Sequence, residues 1–323
     1  MKRAIIVGVG GQDGQLLYEL LTKNRYLVIG IDKNKIQSSF KVLFKQVNIL
    51  NFIDVANLIK KFQPQEVYYL AAFHHSAEDL PIENAELLQR SYNVHVVGLV
   101  NFLEAIKKFS LKSRIFYAAS SHIFGETKND IQDEDTPINP NGLYGITKAT
   151  GLALCRFYRS NYDIFVSVGI LYNHESAFRT GNFVSMKIIQ GAINIKKGKQ
   201  KQLFLGDLDA VIDWGYALDY VRAMHLTLKS RKPDDFIIAT GKRHTVLDFI
   251  KVVFKTLQLD WKLYIKEDGS IVRKQSFYRI GNSAKLRTST GWGPEFSFKE
   301  MINRMIEMNL EKFSLNSKNK IKR

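Results

Sequence analysis

The sequence predicts an α/β fold built on a doubly wound parallel sheet, with a smaller α+β substrate lobe on the C-terminal side. Three observations predict it. Short runs of branched apolar residues alternate with helical patterns through the first half, a glycine-rich turn follows the first run, and the alternation loosens after about residue 171. The first run is AIIVG (4–8), and Leu16, Leu17, Leu20 and Leu21 then share one face of a helix. LVIGI (27–31), VLFKQV (42–47), EVYYLA (66–71), RIFYAAS (114–120) and IFVSVGI (164–170) are the next strands, apolar on both faces as a parallel sheet covered on both sides requires. Past residue 171, NFVSMKIIQGAINI reads as a helix, DFIIATG (235–241) as a strand able to return to the main sheet, and FKEMINRMIEMNL as a C-terminal helix.

With 323 residues, 45% of them hydrophobic, the chain is long enough to bury a large core. No apolar run approaches the ~20 residues that a membrane span needs. The opening MKRAIIVGVGG has the basic-then-apolar order of a signal peptide, but it runs into Gly-Gly-Gln-Asp and reads as a strand. Cys155 is the single cysteine, which excludes an internal disulfide and suits a cytoplasmic protein. The net charge of +16 is spread through pairs such as Lys60-Lys61 and Lys107-Lys108 and a basic tail. Diffuse charge of this kind marks solvated faces rather than a nucleic-acid or membrane interface, and it favours an anionic small-molecule substrate.

Gly8, Gly11 and Gly14 stand at G-x-x-G-x-x-G spacing, directly after the first strand and opening the first helix. Glycines there permit a tight turn and the close approach of a pyrophosphate to a helix N-terminus. Residues 1–171 therefore read as a Rossmann-type dinucleotide-binding domain to which 207–240 returns, with 172–206 and 241–323 as the substrate lobe. Asp32 ends the second strand where a carboxylate would bond a ribose 2′-hydroxyl and repel a 2′-phosphate, which favours NAD(H) over NADP(H). In LYGITKATG, Tyr144 and Lys148 lie at i and i+4 on one helix face. An ammonium beside a phenol lowers its pKa from ~10 towards the working range. Such a phenol can take a proton from a sugar hydroxyl while hydride leaves the adjacent carbon for nicotinamide. Ser120 or Ser121, ending RIFYAAS, supplies a hydroxyl beside the reacting oxygen. His74, His75 and His122 lack the carboxylate spacing of a metal site, and no metal is predicted.

Together these features resemble the extended short-chain dehydrogenase/reductase superfamily (NAD-dependent epimerase/dehydratase type), and within it the GDP-mannose 4,6-dehydratase family. GQDGQLL matches that family's GQDG-x-x-L, ILYNHES (170–176) its ILFNHES, NFVSMKI (182–188) its NFV-x-x-KI, and LGDLDAVIDWGYALDYVRAM its LGNLDA-x-RDWG-x-A-DYV-x-AM. FIIATGKRHTV (236–246) resembles its FVIATG-x-x-HSV. The resemblance implies a lyase with a GDP-sugar substrate and a nicotinamide cofactor, NADP(H) being the family's own. Carbon 4 is oxidised, water is lost across carbons 5 and 6, and hydride returns to carbon 6. It implies Tyr144, Lys148 and Ser120 at the oxidation step, and Gly8, Gly11, Gln12, Asp13, Gly14, Asp32, Asn48, Leu70, Ala71, Tyr144 and Lys148 at the cofactor. For the substrate it implies Ser121, Asn173, Asn182, Val184 and Lys187. It also implies a homodimer, with a tetramer as the alternative, formed through the helix that begins near Leu143. That helix is expected to turn Leu152, Leu154 and Phe157 outward.

Three departures from the family pattern bear on the reaction. His122 occupies the position of the family's glutamate, the base for the carbon 5 proton, with Glu126 as the candidate to orient it. Ile212 replaces the arginine before DWG, so Lys187 or Arg273 must carry the diphosphate. Asp32-Lys33 replaces a pair of arginines associated with NADP. A 4-oxidoreductase or epimerase that omits the elimination is the alternative activity, and a catalytically silent sugar-nucleotide-binding protein is the alternative of another class. Retention of Ser120, Tyr144 and Lys148 speaks against the silent protein.

Overall fold

The computed structural model describes residues 1–33, 43–75, 80–269 and 278–321, without the side chains of 43–45 and 312–321. In chain order, β1 (Arg3–Val7), α1 (Gln12–Lys23), β2 (Leu27–Ile31), β3 (Leu43–Lys45), α2 (Phe52–Phe62) and β4 (Glu66–Tyr69) come first. They are followed by α3 (Asn84–Tyr92), a π-type segment over Asn93–Val97, α4 (Gly98–Phe109), β5 (Arg114–Ser120) and β6 (Ile131–Gln132). Next are α5 (Leu143–Tyr162), β7 (Val166–Leu171), β8 (Asn173–Glu175), α6 (Val184–Lys196), β9 (Leu203–Leu205), β10 (Val211–Ile212) and β11 (Trp214–Tyr216). The chain ends with α7 (Ala217–Thr227), β12 (Asp235–Ile238), β13 (His244–Thr245), α8 (Val246–Thr256), β14 (Ile265–Glu267), β15 (Ile280–Gly281), α9 (Ala284–Thr290) and α10 (Phe298–Ile321).

Seven strands form one parallel sheet in the order β12-β7-β5-β4-β1-β2-β3. The chain builds outward from β1 through β2 to β3, then crosses back to β4 and builds outward the other way. Between β1 and β4 the connections diverge, and a crevice opens beyond the strand C-termini, where such sheets bind ligands. Helices cover both faces. On one, Ile59 of α2, Leu103 of α4 and Leu152 of α5 pack on the sheet; on the other, Leu17 and Leu21 of α1 join Val221 and Met224 of α7. A third core, including Met186, Ile189, Phe249, Ile250 and Met305, binds α6, α8 and α10 into the substrate lobe.

Continuity of the main sheet with this lobe depends on Asp213, just before β11. Its buried carboxylate accepts the N–H groups of Thr240 (3.0 Å), Gly241 (2.9 Å) and Gly281 (3.2 Å) and the Thr240 hydroxyl (2.5 Å). One side chain thus ties the segment after β12, and β15, to the start of β11. Burial raises its pKa above the usual 3.8, against those hydrogen bonds.

Helix α5 corrects one expectation. Leu152 is fully buried and belongs to the core, Leu154 packs partly against it, and only Phe157, 49% exposed, faces outward. The helical period explains this: the face that carries Lys148 inward carries Leu152 and Cys155 inward over the following turns. Tyr162, exposed on α5, lies against Phe157 with ring centres 5.8 Å apart, and Ile146 on α5 and Leu88 and Tyr92 on α3 are further exposed apolar residues.

Candidate active site

A cleft of about 970 Å³ lies over the switch point between β1 and β4. Its floor is the glycine turn. Gly8 has φ +89°, and a Cβ there would lie 2.8 Å from the Ala71 backbone nitrogen. A Cβ on Gly14 would overlap the Gly8 carbonyl oxygen and the Val9 Cα. The turn and the helix are therefore packed backbone against backbone, which only glycine allows. No side chain caps the start of α1, so its first amides are left for an anion, the arrangement a dinucleotide pyrophosphate fits. At the other side Asp32 Oδ2 accepts the Gly10 N–H at 3.0 Å, and Asp32, Lys33 and Asn48 line the wall where an adenosine ribose would lie.

Opposite the glycine turn stand Ser120 at the end of β5, His122, and Tyr144 and Lys148 in the first turns of α5. The Ser120 hydroxyl hydrogen-bonds with the Tyr144 phenol. Contrary to expectation, the phenol is not lowered: burial pushes it from 10.0 up to about 12, opposed by the Arg179 guanidinium and the Ser120 bond. Lys148 explains why. Its Nζ donates to the Ala118 carbonyl oxygen at 2.7 Å and stands 5.7 Å from the centre of the Tyr144 ring. Burial brings its own pKa from 10.5 down to about 7, with Asp13 opposing, so near neutrality it carries only part of a charge.

Three imidazoles pack edge to face on the Tyr144 ring, from His74 (5.3 Å), His95 (5.3 Å) and His122 (5.8 Å between centres). His95 is structural. Its Nε2 accepts the Phe73 N–H at 3.0 Å, which places the ring proton on Nδ1, donated to Thr147 Oγ1 at 2.8 Å. Burial, then Lys148 and His74, depress its pKa far below 6.5. His122 is exposed, and it lines both the cleft and the pocket beside it. Protein enclosing its other sides, then the Arg279 guanidinium and His74, lower its pKa from 6.5 to about 3. It is a neutral imidazole at pH 7. Glu126 lies outside the cleft lining, and among the described residues no hydrogen bond or ion pair joins it to His122.

Two of the sequence motifs, GQDG and NHES, meet at the cleft. His174 Nε2 contacts the Asp13 carboxylate at 2.9 and 3.1 Å while Nδ1 contacts the Tyr172 carbonyl oxygen at 2.7 Å. The Tyr220 ring stacks on the imidazole at 4.5 Å. Gln12 donates to the His174 carbonyl at 3.0 Å and accepts from Ser176 Oγ at 2.9 Å. Burial opposes the Asp13 charge, but His174 beside it, its hydrogen bond and Arg179 more than offset this and hold the carboxyl below 3.8. GQDG and NHES thus form one latch between α1 and β8.

Comparison with known proteins agrees with this geometry. The family model for GDP-mannose 4,6 dehydratase matches residues 5–305. The chain belongs to that family. It is 35% identical to GDP-mannose 4,6 dehydratase 2 of Arabidopsis thaliana, over 96% of this chain and 87% of that one. It is 31% identical to GDP-mannose 4,6-dehydratase of Yersinia enterocolitica, over 96% and 94%. Among solved structures, dTDP-glucose 4,6-dehydratase from Bacillus anthracis in complex with NAD has the same fold (TM-score 0.80, 20% identity, covering 95% and 96%). So does RMD from Pseudomonas aeruginosa complexed with NADPH (TM-score 0.79, 20% identity, covering 95% and 98%). The chain is accordingly a nucleotide-sugar-modifying enzyme of the GDP-mannose 4,6-dehydratase type.

Within this family member the cleft brings together Gly8, Gly11, Gln12, Asp13, Gly14, Asp32, Asn48, Leu70, Ala71, Ser120, His122, Tyr144, Lys148, Asn173 and Asn182. It does not gather the remaining candidates. Ser121 is buried behind the wall, Val184 packs against the lobe core, and Lys187 is half-buried on α6 outside the lining. Arg273 lies outside the described residues. The cations that line the cleft among the described residues are Lys33, Lys148 and Arg179. Arg179 was not foreseen; it pairs with Glu175 at 3.0 Å, covers the Phe183 ring and donates to the His174 carbonyl at 2.8 Å. Its spacing of four from Glu175 within NHESAFR was the available signal. The latch yields a prediction. His174→Ala removes a charge-assisted contact worth ~1.5–3 kcal/mol, so dinucleotide affinity by calorimetry falls ~10–100-fold. Unchanged affinity would show that the latch does not position the phosphate turn.

Proposed function

We propose that the chain is a GDP-sugar 4,6-dehydratase acting on GDP-mannose or a near relative, with a nicotinamide dinucleotide held on the glycine turn and the GDP part towards the substrate lobe (172–206 and 241–323). The observation that carries the reading is the gathering of Ser120, His122, Tyr144 and Lys148 on one wall, opposite an uncapped helix N-terminus. When bound, nicotinamide supplies the hydride acceptor for carbon 4, the donor for carbon 6 and, oxidised, a positive charge that favours the Tyr144 phenolate. Tyr144 takes the proton of the carbon 4 hydroxyl, Ser120 holds that oxygen, and Lys148 holds the nicotinamide ribose. The resulting ketone acidifies the proton on carbon 5.

His122 removes it. A neutral imidazole has a free lone pair to accept that proton, and once protonated it is an acid able to protonate the departing hydroxyl on carbon 6. Arg179 stands for the arginine lost at Ile212 and faces the diphosphate. A buried, free Cys155 supports the cytoplasmic assignment. The exposed apolar residues Leu88 and Tyr92 on α3 and Ile146, Phe157 and Tyr162 on α5 support a homodimer packed through these helices, to be checked as a dimer mass by light scattering.

Incubation with GDP-mannose should give a product lighter by one water, and Tyr144→Phe should cost at least ~100-fold in turnover with the dinucleotide still bound. Oxidation or epimerisation without water loss would replace the dehydratase reading by the oxidoreductase or epimerase. Asp32 already accepts one N–H from Gly10 and presents its charge where a 2′-phosphate would sit, so NAD(H) should bind more tightly than NADP(H). Calorimetry giving the reverse order would assign that wall to Lys33.

A further inference from the structure

Behind the catalytic wall the chain departs from α-helical winding. Asn93–Val97 forms a π-type turn between α3 and α4, a wider turn of a kind frequent at functional sites. The Tyr69 hydroxyl of β4 donates to the Val94 carbonyl oxygen at 2.5 Å, and Gly98 makes room for it, since a Cβ there would overlap that hydroxyl. This turn carries His95, which is fully buried against Tyr144. We propose that His95 is a positioning residue for proton transfer at carbon 4: it braces the first turn of α5 against the segment after β4 and so sets where the Tyr144 phenol stands relative to the glycine turn. The inference rests on the first step of the proposed function, oxidation at carbon 4, which a dehydratase and a 4-oxidoreductase share.

Both ring nitrogens are committed. Nε2 accepts the Phe73 N–H at 3.0 Å, and Phe73 continues the segment in which the Ala71 backbone packs on Gly8. Nδ1 donates to Thr147 Oγ1 at 2.8 Å, and the Thr147 hydroxyl in turn donates to the carbonyl oxygens of Tyr144 (3.1 Å) and Leu143 (3.2 Å). His95 and Thr147 are both fully buried, so solvent does not compete for these bonds. The path from the glycine turn to the phenol is therefore continuous, through Ala71, Phe73, His95 and Thr147. An imidazole with neither nitrogen free moves no proton of the substrate; it acts by holding a distance.

Tyr144 needs such a brace. It is the second residue of α5, the N-cap is Gly142 without a side-chain hydrogen bond, and Gly145 follows. A first turn of this composition opens easily. The Ser120 hydroxyl holds the phenol end of Tyr144, whereas Thr147 and His95 hold its backbone end. Reaction at carbon 4 is sensitive to such placement, a displacement of ~1 Å costing ~100-fold in rate.

The test is single-turnover oxidation of GDP-mannose by the dinucleotide-loaded enzyme, followed as the absorbance of the reduced nicotinamide. His95→Asn, which cannot reach both partners, and Thr147→Val should each slow this step ~10-fold or more, with steady-state KM and dinucleotide affinity within ~2-fold of the unaltered enzyme. Thr147→Ser, which keeps the hydroxyl, should restore the rate. Because the two side chains act through one path of bonds, the double variant should be no slower than the slower single one. Unaltered oxidation in folded His95→Asn and Thr147→Val, or losses that multiply in the double variant, overturns the inference. So does a loss of dinucleotide affinity in proportion to rate, which marks a merely structural role. If His95→Asn does not fold, Thr147→Val against Thr147→Ser decides alone. Oxidation without water loss fails the dehydratase reading and leaves this inference standing, whereas no oxidation by the unaltered enzyme removes both.

Discussion

The contact between Asp13 and His174 holds the catalytic geometry together. Asp13 belongs to the first turn of α1, whose amides face the cleft, and His174 belongs to β8, which follows β7 of the main sheet and pairs with β11. A carboxylate at a helix N-terminus would ordinarily compete with a bound phosphate for the same positive field. Here the imidazole, the Gln12 amide and Arg179 engage it, so its charge is spent sideways on the latch. The same contact fixes the peptide that carries Asn173 into the cleft and leads to Arg179. The glycine turn and the segment carrying Asn173 and Arg179 are thereby joined.

Burial, rather than charge pairing, governs the catalytic wall. It raises the Tyr144 phenol and lowers Lys148 and His122, in each case favouring the neutral form. A wall of neutral groups in a low-dielectric cleft responds strongly to any charge brought into it. In the proposed mechanism the oxidised nicotinamide and the GDP diphosphate are such charges, and a charge appears on Tyr144 or His122 only when they are present. The environment suits a site that is silent until loaded.

The sheet was legible because parallel strands buried on both faces leave unbroken apolar runs, and all seven runs read from the sequence are strands of the one sheet. The glycine turn was legible because its residue type is dictated by backbone contact with Ala71 and Gly8. Leu152 was misjudged because an apolar residue on a helix looks the same facing a core or a partner, and only the orientation of Lys148 decides it. The pKa of Tyr144 was misjudged for a related reason. Spacing of four residues places Lys148 on the same face, but the Ala118 carbonyl, from a strand distant in sequence, takes its ammonium. His95 has a role set by Phe73 and Thr147, partners that no local pattern identifies, whereas Arg179 was marked only by its spacing of four from Glu175.

In the proposed mechanism the carbon 5 proton passes to the neutral imidazole of His122. The most direct test of this is turnover of the GDP-sugar in deuterium oxide, followed by mass and NMR analysis of the sugar. The account predicts deuterium at carbon 5 of the dehydrated product from the unaltered enzyme, and in His122→Ala a ketone at carbon 4 that gains no deuterium and loses no water. Deuterium at carbon 5 and water loss that persist in His122→Ala would contradict it and move the base elsewhere on the wall.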